Sequence, residues 1–310
     1  MDTMQFQHVP VLLEEVLHYL APEKGMTFAD GTLGGGGHSK ALLETMGEGT
    51  LYGIDRDMAA ITAASARLEP FKGFHALHGN FHDVCSLLPN GVLLDGGLLD
   101  LGVSSYQIDN AERGFSYHEN APLDMRMDTS KGMTAAEYCN TVDEKTFAQI
   151  LLDYGDEKWA VRIAKILLEK RAIKPLETTF DLVQVVDAAI PKNIRRKDEG
   201  HPARRTFQAV RIAINDELAP LEKALQDWVS LLKPGGRLCV ITFHSVEDRL
   251  VKRTFRTMQH PCICPPKAPI CTCHRVPIGK TLGKAIKAGK NELSNNSRSH
   301  SATLRVIQKL

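Results

Sequence analysis

Between Asp30 and Ser39 the chain reads Asp30-Gly31-Thr32-Leu33-Gly34-Gly35-Gly36-Gly37-His38-Ser39. A short apolar run, Met26 to Ala29, precedes this stretch, and a helical pattern, Ser39 to Met46, follows it. A strand that breaks into glycines and restarts as a helix is the ligand-binding corner of an open α/β sheet. Glycine reaches positive φ and lets a ligand approach the backbone without a Cβ in the way. The spacing then discriminates between ligands. The dinucleotide fingerprint G-x-G-x-x-G fails in both registers, because Ser39 follows Gly34-x-Gly36 and Lys40 follows Gly35-x-Gly37. The Gly-Lys-Ser/Thr of a phosphate loop is missing as well. What remains is an acidic strand end followed by a glycine loop. That arrangement suits adenosylmethionine, whose amino-acid end is cationic and which carries no phosphate.

The next strand reads Leu51-Tyr52-Gly53-Ile54-Asp55. Its terminal carboxylate stands about 20 residues beyond the glycine loop, where such folds bind a ribose diol. Asp55 therefore points to a nucleoside ligand and serves a nicotinamide or an adenosylmethionine enzyme equally. Its alternative role is to cap the helix that starts near Asp57. A third strand, Phe74 to His78, leads to Phe81. Phe81 is placed to stack on an adenine or to fill the core.

The fourth strand, Val92 to Asp100, is mostly apolar, as a strand buried on both faces of a parallel sheet must be. Ligands of open α/β sheets sit outside the carboxyl ends of the strands, which aims Asp100 and the following Leu101-Gly102-Val103-Ser104-Ser105-Tyr106-Gln107 at the substrate. The lone pair of an exocyclic amine is delocalised into its base. A carboxylate that accepts the amine N–H bonds favours the pyramidal geometry needed for attack. Asp100 with Tyr106 fits that need loosely, and Asp100 as a plain turn former is the alternative.

After Gln107 the β/α alternation stops. Helices are predicted to start at Asp143-Glu144, at Asp156-Glu157 (running to Lys170) and at Thr178-Thr179 (ending before Pro191), where acidic or hydroxyl residues suit a helix N-terminus. Trp159 reads as core. The α/β pattern resumes with a helix around Leu218 to Leu232, a turn at Lys233-Pro234-Gly235-Gly236, a fifth strand from Arg237 to Phe243 and a last strand from Thr303 to Gln308. His244 follows the fifth strand, beside the expected place of Asp100. It holds a target base, relays a proton or bonds a neighbouring loop.

Several segments together resemble one family. They are His8-Val9-Pro10-Val11-Leu12-Leu13-Glu14-Glu15-Val16, the Asp30 to Ser39 loop, Leu99 to Ser105, Arg113-Gly114-Phe115-Ser116 and Pro122 to Asp128. The match continues through His201 to Ile212, Asn215-Asp216-Glu217-Leu218, Phe243 to Arg249 and Arg298-Ser299-His300-Ser301-Ala302. In order, these are similar to the MraW-like 16S ribosomal RNA cytosine-N4 methyltransferases, and the resemblance spans nearly the whole chain. Two positions depart from the family pattern: His300, where Arg is usual, and Gly97, where a branched apolar residue is usual.

The resemblance implies a class I adenosylmethionine-dependent methyltransferase (Rossmann-like) α/β sheet with an inserted all-helical domain. The expected division is 1–108 and 201–310 for the methyltransferase domain and 109–200 for the helical, substrate-recognising insert. S-adenosylmethionine is expected across Gly34, Gly36, Gly37 and His38, with Asp55 on the ribose, Phe81 near the adenine, and Asp100 and Gln107 completing the pocket. Asp100, Ser104 and His244 are the candidates for holding the cytosine N4. The implied partner is 16S ribosomal RNA within the small ribosomal subunit, and the oligomeric state is left open. Two other readings compete: a nicotinamide oxidoreductase, disfavoured by the incomplete fingerprint, and a non-catalytic RNA-binding or ribosome-assembly factor that keeps the cofactor site.

Charge adds a constraint. Across 310 residues the formal net charge is only +1, so any RNA-binding surface must be local. Lys192 to Arg211, with Arg195, Arg196, Lys197, Arg204 and Arg205, and the tail from Lys280 to Lys309 supply candidates, with a solvated face as the alternative. No apolar run approaches membrane length, and the start lacks a signal-peptide layout, so a cytoplasmic protein is expected. Of seven cysteines, Cys85, Cys139 and Cys239 stand alone and read as small hydrophobes. Cys262-Ile263-Cys264 and Cys271-Thr272-Cys273 cluster. Four clustered thiols favour a metal over disulfides in a reducing compartment, yet one-residue spacing is tighter than the usual C-x2-C. No metal ligand is assigned, and zinc at this cluster stays open.

Overall fold

The computed structural model describes residues 10–195, 200–266 and 270–310, apart from the side chains of Ser105, Arg195 and Ser297. Within the amino-terminal signature, His8 and Val9 lie outside the described residues, as do Arg196 and Lys197 of the basic stretch. The chain forms two compact units, one running to Gly102 and resuming over Pro220–Leu310, the other Val103–Ala219. The expected insert boundaries at 109 and 200 both fall inside this second unit.

The first unit alternates strands and helices: α1 (Leu13–Leu20), β1 (Thr27–Asp30), α2 (Gly37–Met46), β2 (Thr50–Asp55), α3 (Met58–Leu68), β3 (Phe74–His78), α4 (Val84–Leu87) and β4 (Leu94–Asp100). The second unit contains α5 (Ser105–Asp109), α6 (Ala135–Thr141), α7 (Glu144–Gly155), α8 (Ala160–Ile173), α9 (Thr179–Ala189), α10 (Lys192–Arg195) and α11 (Arg204–Asn215). The first unit then resumes with α12 (Leu221–Leu231), β5 (Leu232–Thr242), α13 (Ser245–Gln259), β6 (Gly279–Thr281), α14 (Lys290–Asn295) and β7 (Thr303–Lys309).

One seven-stranded sheet runs in the order β3-β2-β1-β4-β5-β7-β6. Strands β1 to β5 pair in parallel, and β7 is antiparallel to both β5 and β6. This is the class I methyltransferase form of the Rossmann-like fold. The order reverses at β1, so the crevice outside β1 and β4 is the topological switch point where such sheets bind ligands. Central strands are buried on both faces: Leu98, Leu99, Cys239, Val240 and Ile241 are fully inaccessible, which is what parallel strands covered by helices require. Cys239 and Cys139 are buried hydrophobes as expected, whereas Cys85 is exposed.

Trp228 explains one departure from the family pattern. A Cβ on Gly97 would lie 2.8 Å from its indole Cε3, and one on Gly31 2.6 Å from its Cζ2. The ring fills the space a branched side chain on β4 would otherwise take. Its indole N–H donates to the Phe81 carbonyl at 2.9 Å, which satisfies the one polar atom of a fully buried tryptophan. His300 is exposed in a 3-10 turn, and nothing in the structure explains that substitution.

Among the element boundaries that differ from expectation, three have a local cause in the structure. Helix α2 starts at Gly37, two positions before Ser39, because Gly36 with φ 72° turns the chain into the helix. Helix α8 starts at Ala160, after the predicted Asp156-Glu157, and runs past Lys170 to Ile173. Asp156 instead adopts a left-handed conformation (φ 48°) and closes α7 by donating its N–H to the Leu151 carbonyl. The Lys233-Pro234-Gly235-Gly236 turn interrupts β5 as a bulge: Leu232 pairs with Leu94, and pairing resumes at Arg237 with Gly96.

The second unit has its own core around Phe147, Leu151, Ile163, Leu167, Leu182, Val186 and Val210, with Trp159 packed against it as expected. Its framework joins segments distant in sequence. Met125 sits at φ 58° with its N–H donating to the Arg113 carbonyl at 2.9 Å. The Asn215 amide accepts from Met127 N–H and donates to Met125 O, each at 2.8 Å. Arg211 makes a buried two-bond pair with Glu217 at 2.8 and 2.9 Å. Arg211 therefore belongs to the framework and leaves the basic surface.

Candidate active site

The carboxyl ends of β1 to β5 and the turns after them carry the predicted side chains of the first unit. Asp30, ending β1, is buried and organises the glycine loop. One of its oxygens accepts from Thr32 N–H at 3.0 Å and the other from Ser39 Oγ–H at 2.7 Å, tying the first turn of α2 to the strand. Burial pushes its carboxyl up from the ordinary value despite those bonds. Asp30 opened the loop in the sequence but was not among the predicted ligand residues, and its bonds give it a supporting role.

Asp55 holds the other side of the loop. Its two oxygens accept from Gly34 N–H at 2.8 Å and from Asp57 N–H at 2.9 Å. Burial is the larger influence and raises its carboxyl above the usual range, opposed by those two bonds. The helix-capping alternative goes to its neighbour, since Asp57 caps α3 by accepting from Ala59 N–H at 3.0 Å. Each Asp55 oxygen retains a second lone pair, so the loop bonds leave acceptor capacity for a diol.

Gly34, Gly36 and Gly37 form the loop itself, with Gly36 as the left-handed residue before α2. His38, in the first turn of α2, is buried and bonds the Val11 carbonyl through Nε2 at 2.9 Å. Burial lowers its pKa to about 4, so the ring is neutral near pH 7. Donating from Nε2 leaves Nδ1 as a bare acceptor, and that atom lies 3.8 Å from Asp100 Oδ2. The separation is too long for a hydrogen bond, and a neutral ring forms no ion pair.

Asp100, ending β4, is the most perturbed group of the site. Its backbone N–H donates to Thr32 Oγ1 at 2.6 Å, while its side-chain Oδ1 is buried with no hydrogen-bond partner. The side chain as a whole keeps 26% of its surface accessible, so the carboxyl is enclosed but reachable. Its pKa rises to about 8, first through burial, then through the nearby Asp30 and Glu247 carboxylates. Three acidic groups, Asp30, Asp100 and Glu247, therefore act on one another at this end of the sheet, with the neutral His38 ring beside Asp100.

Glu247 was missed by the sequence reading. It is buried in the first turn of α13 and accepts from Phe243 N–H through Oε2 at 3.1 Å. Its own N–H donates to His244 Nδ1 at 3.3 Å, making His244 the cap of α13. That bond puts the neutral-ring proton on His244 Nε2, which is buried 3.2 Å from Glu247 Oε1 without an aligned hydrogen bond. A His-x-x-Glu pair opening a helix after a strand is a reciprocal cap in sequence, and that was the available signal.

Phe81 opens a 3-10 turn after β3, half-buried, with its ring edge-on to His82 at 4.2 Å between centroids. His82 was also missed. Its Nε2 is buried without a partner, and burial lowers its pKa to about 4.

Ser104 and Gln107 belong to the second unit. They form a capping box at the start of α5: Ser104 Oγ accepts from Gln107 N–H at 3.3 Å, and Gln107 Oε1 accepts from Ser104 N–H at 3.0 Å. Tyr106 is half exposed beside them.

The comparisons with known proteins agree on one family. The MraW methylase family model matches residues 5–310. The chain is similar to Ribosomal RNA small subunit methyltransferase H of Symbiobacterium thermophilum, with 49% identity covering 99% of this chain and 98% of the relative. The protein of that name from Clostridium botulinum strain Kyoto is 47% identical over 99% and 100% of the two chains. The one from Geotalea uraniireducens is 48% identical over 98% and 99%. A family match over almost the full length, on a sheet with the methyltransferase strand order and an acidic crevice at its switch point, removes the nicotinamide reading, and S-adenosylmethionine is the cofactor that such a methylase uses. The chain belongs to the MraW methylase family.

Proposed function

We propose that this chain transfers a methyl group from S-adenosylmethionine to the exocyclic N4 of a cytidine in the decoding region of 16S ribosomal RNA. Asp100 carries the reading. A buried, unpartnered carboxyl oxygen, beside Asp30 and Glu247, fits a cationic ligand and a hydrogen-bond donor together. A phosphate-bearing dinucleotide would meet repulsion at the same place.

When bound, the cofactor supplies a methyl group on positively charged sulfur, an electrophile that needs no covalent enzyme intermediate. The chain's residues hold and orient. The Gly34–Gly37 loop leaves the backbone open, Asp55 accepts from the ribose hydroxyls through its remaining lone pairs, and Phe81 lies against the adenine. The His38 ring stands beside Asp100 and, being neutral near pH 7, adds no positive charge there. Once a cation favours its ionised form, Asp100 accepts an N–H of the cytosine amine and aligns the nitrogen for in-line displacement. Ser104 Oγ accepts within its cap and retains a proton to donate. His244 retains its Nε2 proton next to Glu247. Both are proposed to position the base.

The second unit is proposed as the RNA-recognising part. Tyr117 and His201 stack at 4.7 Å with an 18° tilt, near the exposed Arg204, and base–aromatic stacking next to a cation suits single-stranded RNA. In the first unit, Lys280, Lys284, Lys287 and Lys290 are exposed. Lys252 and Arg256 join Lys284 around a cavity of about 280 Å³. These supply local positive charge for phosphates in a chain of net charge +1.

The test offers labelled S-adenosylmethionine with small ribosomal subunits and, separately, with naked 16S RNA, both lacking the modification. Label in N4-methylcytidine is expected, with Asp100→Asn slowing transfer on the order of a hundredfold or more. Label in another nucleoside, or none while the cofactor is bound, would replace this reading with a different acceptor or with the assembly-factor role.

A further inference from the structure

Between α13 and β6 the chain makes an excursion that the methyltransferase reading does not use. Its two ends are pinned. Ile278 N–H donates to the Met258 carbonyl at 3.1 Å, and Thr281 N–H donates to Gln259 Oε1 at 2.7 Å. Between those anchors the described residues have no helix or strand, and most side chains are exposed, including Ile263, Ile270 and Val276. Among its described residues none belongs to an apolar core. A long irregular loop of this kind needs another cross-link to keep one conformation.

Four thiols meet in it. The Sγ atoms of Cys262, Cys264, Cys271 and Cys273 all lie within 4.8 Å of one another. Cys262–Cys271 is 3.7 Å, Cys264–Cys271 3.9 Å, Cys271–Cys273 3.6 Å and Cys262–Cys273 3.8 Å. A disulfide needs about 2.05 Å between sulfurs, and all four cysteines are free. A tetrahedron of thiolates about 2.3 Å from a central zinc has edges of about 3.8 Å. The observed separations bracket that edge. The one-residue spacing that counted against zinc in the sequence is answered by the fold. Each Cys-x-Cys arm supplies two corners, and the loop brings the arms face to face. Thr272 N–H donates to Cys264 Sγ at 3.3 Å, a backbone bond that favours thiolate over thiol.

We propose that Cys262, Cys264, Cys271 and Cys273 bind one structural Zn2+ that closes the loop between α13 and β6. With four protein ligands the ion has no open position for a water or a substrate, so its role is architectural. Binding releases the thiol protons, moves no electrons and is independent of methyl transfer.

The experiment uses the full chain, expressed without an affinity tag that binds metal and purified under reducing conditions without chelator. Metal analysis should find about one zinc per chain, and X-ray absorption at the zinc edge should give a sulfur-only shell at about 2.3 Å. Cobalt replacement should produce the intense near-ultraviolet thiolate charge-transfer bands and visible bands of a tetrahedral four-sulfur site. Cys264→Ser with Cys271→Ser should lose the zinc and expose the loop to proteolysis, while S-adenosylmethionine affinity stays within about twofold. The wild-type measurement stands even if that variant folds poorly. Zinc far below one per chain after reconstitution of the reduced protein, or a nitrogen- or oxygen-containing shell, would overturn the proposal, as would two disulfides in the freshly isolated chain.

Discussion

A carboxyl group with a pKa of about 8 makes cofactor binding depend on pH. At pH 7 the Asp100 carboxyl is about nine-tenths protonated. A ligand that favours the ionised form must first displace that proton, which costs about 1.4 kcal/mol at pH 7 and about 1.4 kcal/mol more for each unit below it. The sign follows from the direction of the shift: the free site binds the extra proton, so binding releases it and affinity increases with pH. S-adenosylmethionine affinity should therefore climb about tenfold per unit between pH 6 and 8 and level off above. The ligand's own α-amino group titrates near this range, at about 8, so Asp100→Asn provides the control. It keeps the ligand's titration and removes the protein's. Isothermal titration calorimetry in buffers of different ionisation enthalpy should count nearly one more released proton for wild type than for Asp100→Asn near pH 6.5. Equal pH slopes and equal proton counts in the two proteins would refute the acidic-cluster argument.

Other consequences are equally direct. Asp55→Asn keeps the size but can no longer accept both the Gly34 and Asp57 N–H bonds. Cofactor affinity should drop by about 1–3 kcal/mol, and amide exchange at Gly34 and Asp57 should accelerate even without ligand, which a purely ribose-binding role would not produce. Gly97→Val, which installs the side-chain type usual in the family, should destabilise by about 1–3 kcal/mol in urea titrations because Trp228 occupies the space; Trp228→Leu in the same chain should recover part of the loss. In the second unit, Asn215→Ala removes the amide that holds Met125 and Met127. A loss of about 2–3 kcal/mol is expected, readable by thermal melting. No change would mean that the left-handed turn at Met125 stands without it.

The glycine loop, the Asp55 strand end and the Asp100 strand end are local patterns. Each depends on residues a few positions apart: glycine where the backbone turns, an acid where a parallel strand stops. The sequence by itself therefore determined the sheet, the strand ends that carry the glycine loop, Asp55 and Asp100, and their acidic character. Boundary errors arose where two local signals competed. Asp156-Glu157 looks like a helix start, but the chain uses Asp156 to end α7. His244 and the Ser104–Gln107 pair looked like site chemistry, and their bonds show them also to be helix caps, because a polar residue after a strand satisfies the first N–H groups of the next helix.

Only the tertiary structure decided the contacts that join distant positions. Asp30 and Asp100 end two strands and Glu247 sits in the first turn of α13, so the shift of Asp100 to about 8 exists only once the fold buries these like charges together. Arg113, Met125 and Asn215 lie in separate segments of the family pattern, and their joint meaning is one buried hydrogen-bond framework. The pairs Cys262–Cys264 and Cys271–Cys273 have an unfavourable spacing along the chain, and the fold of the loop brings their four sulfurs within 4.8 Å of one another. Propensity and periodicity act over a few residues, whereas charge repulsion, metal geometry and burial act through space, and those distances are set only when the whole chain has packed.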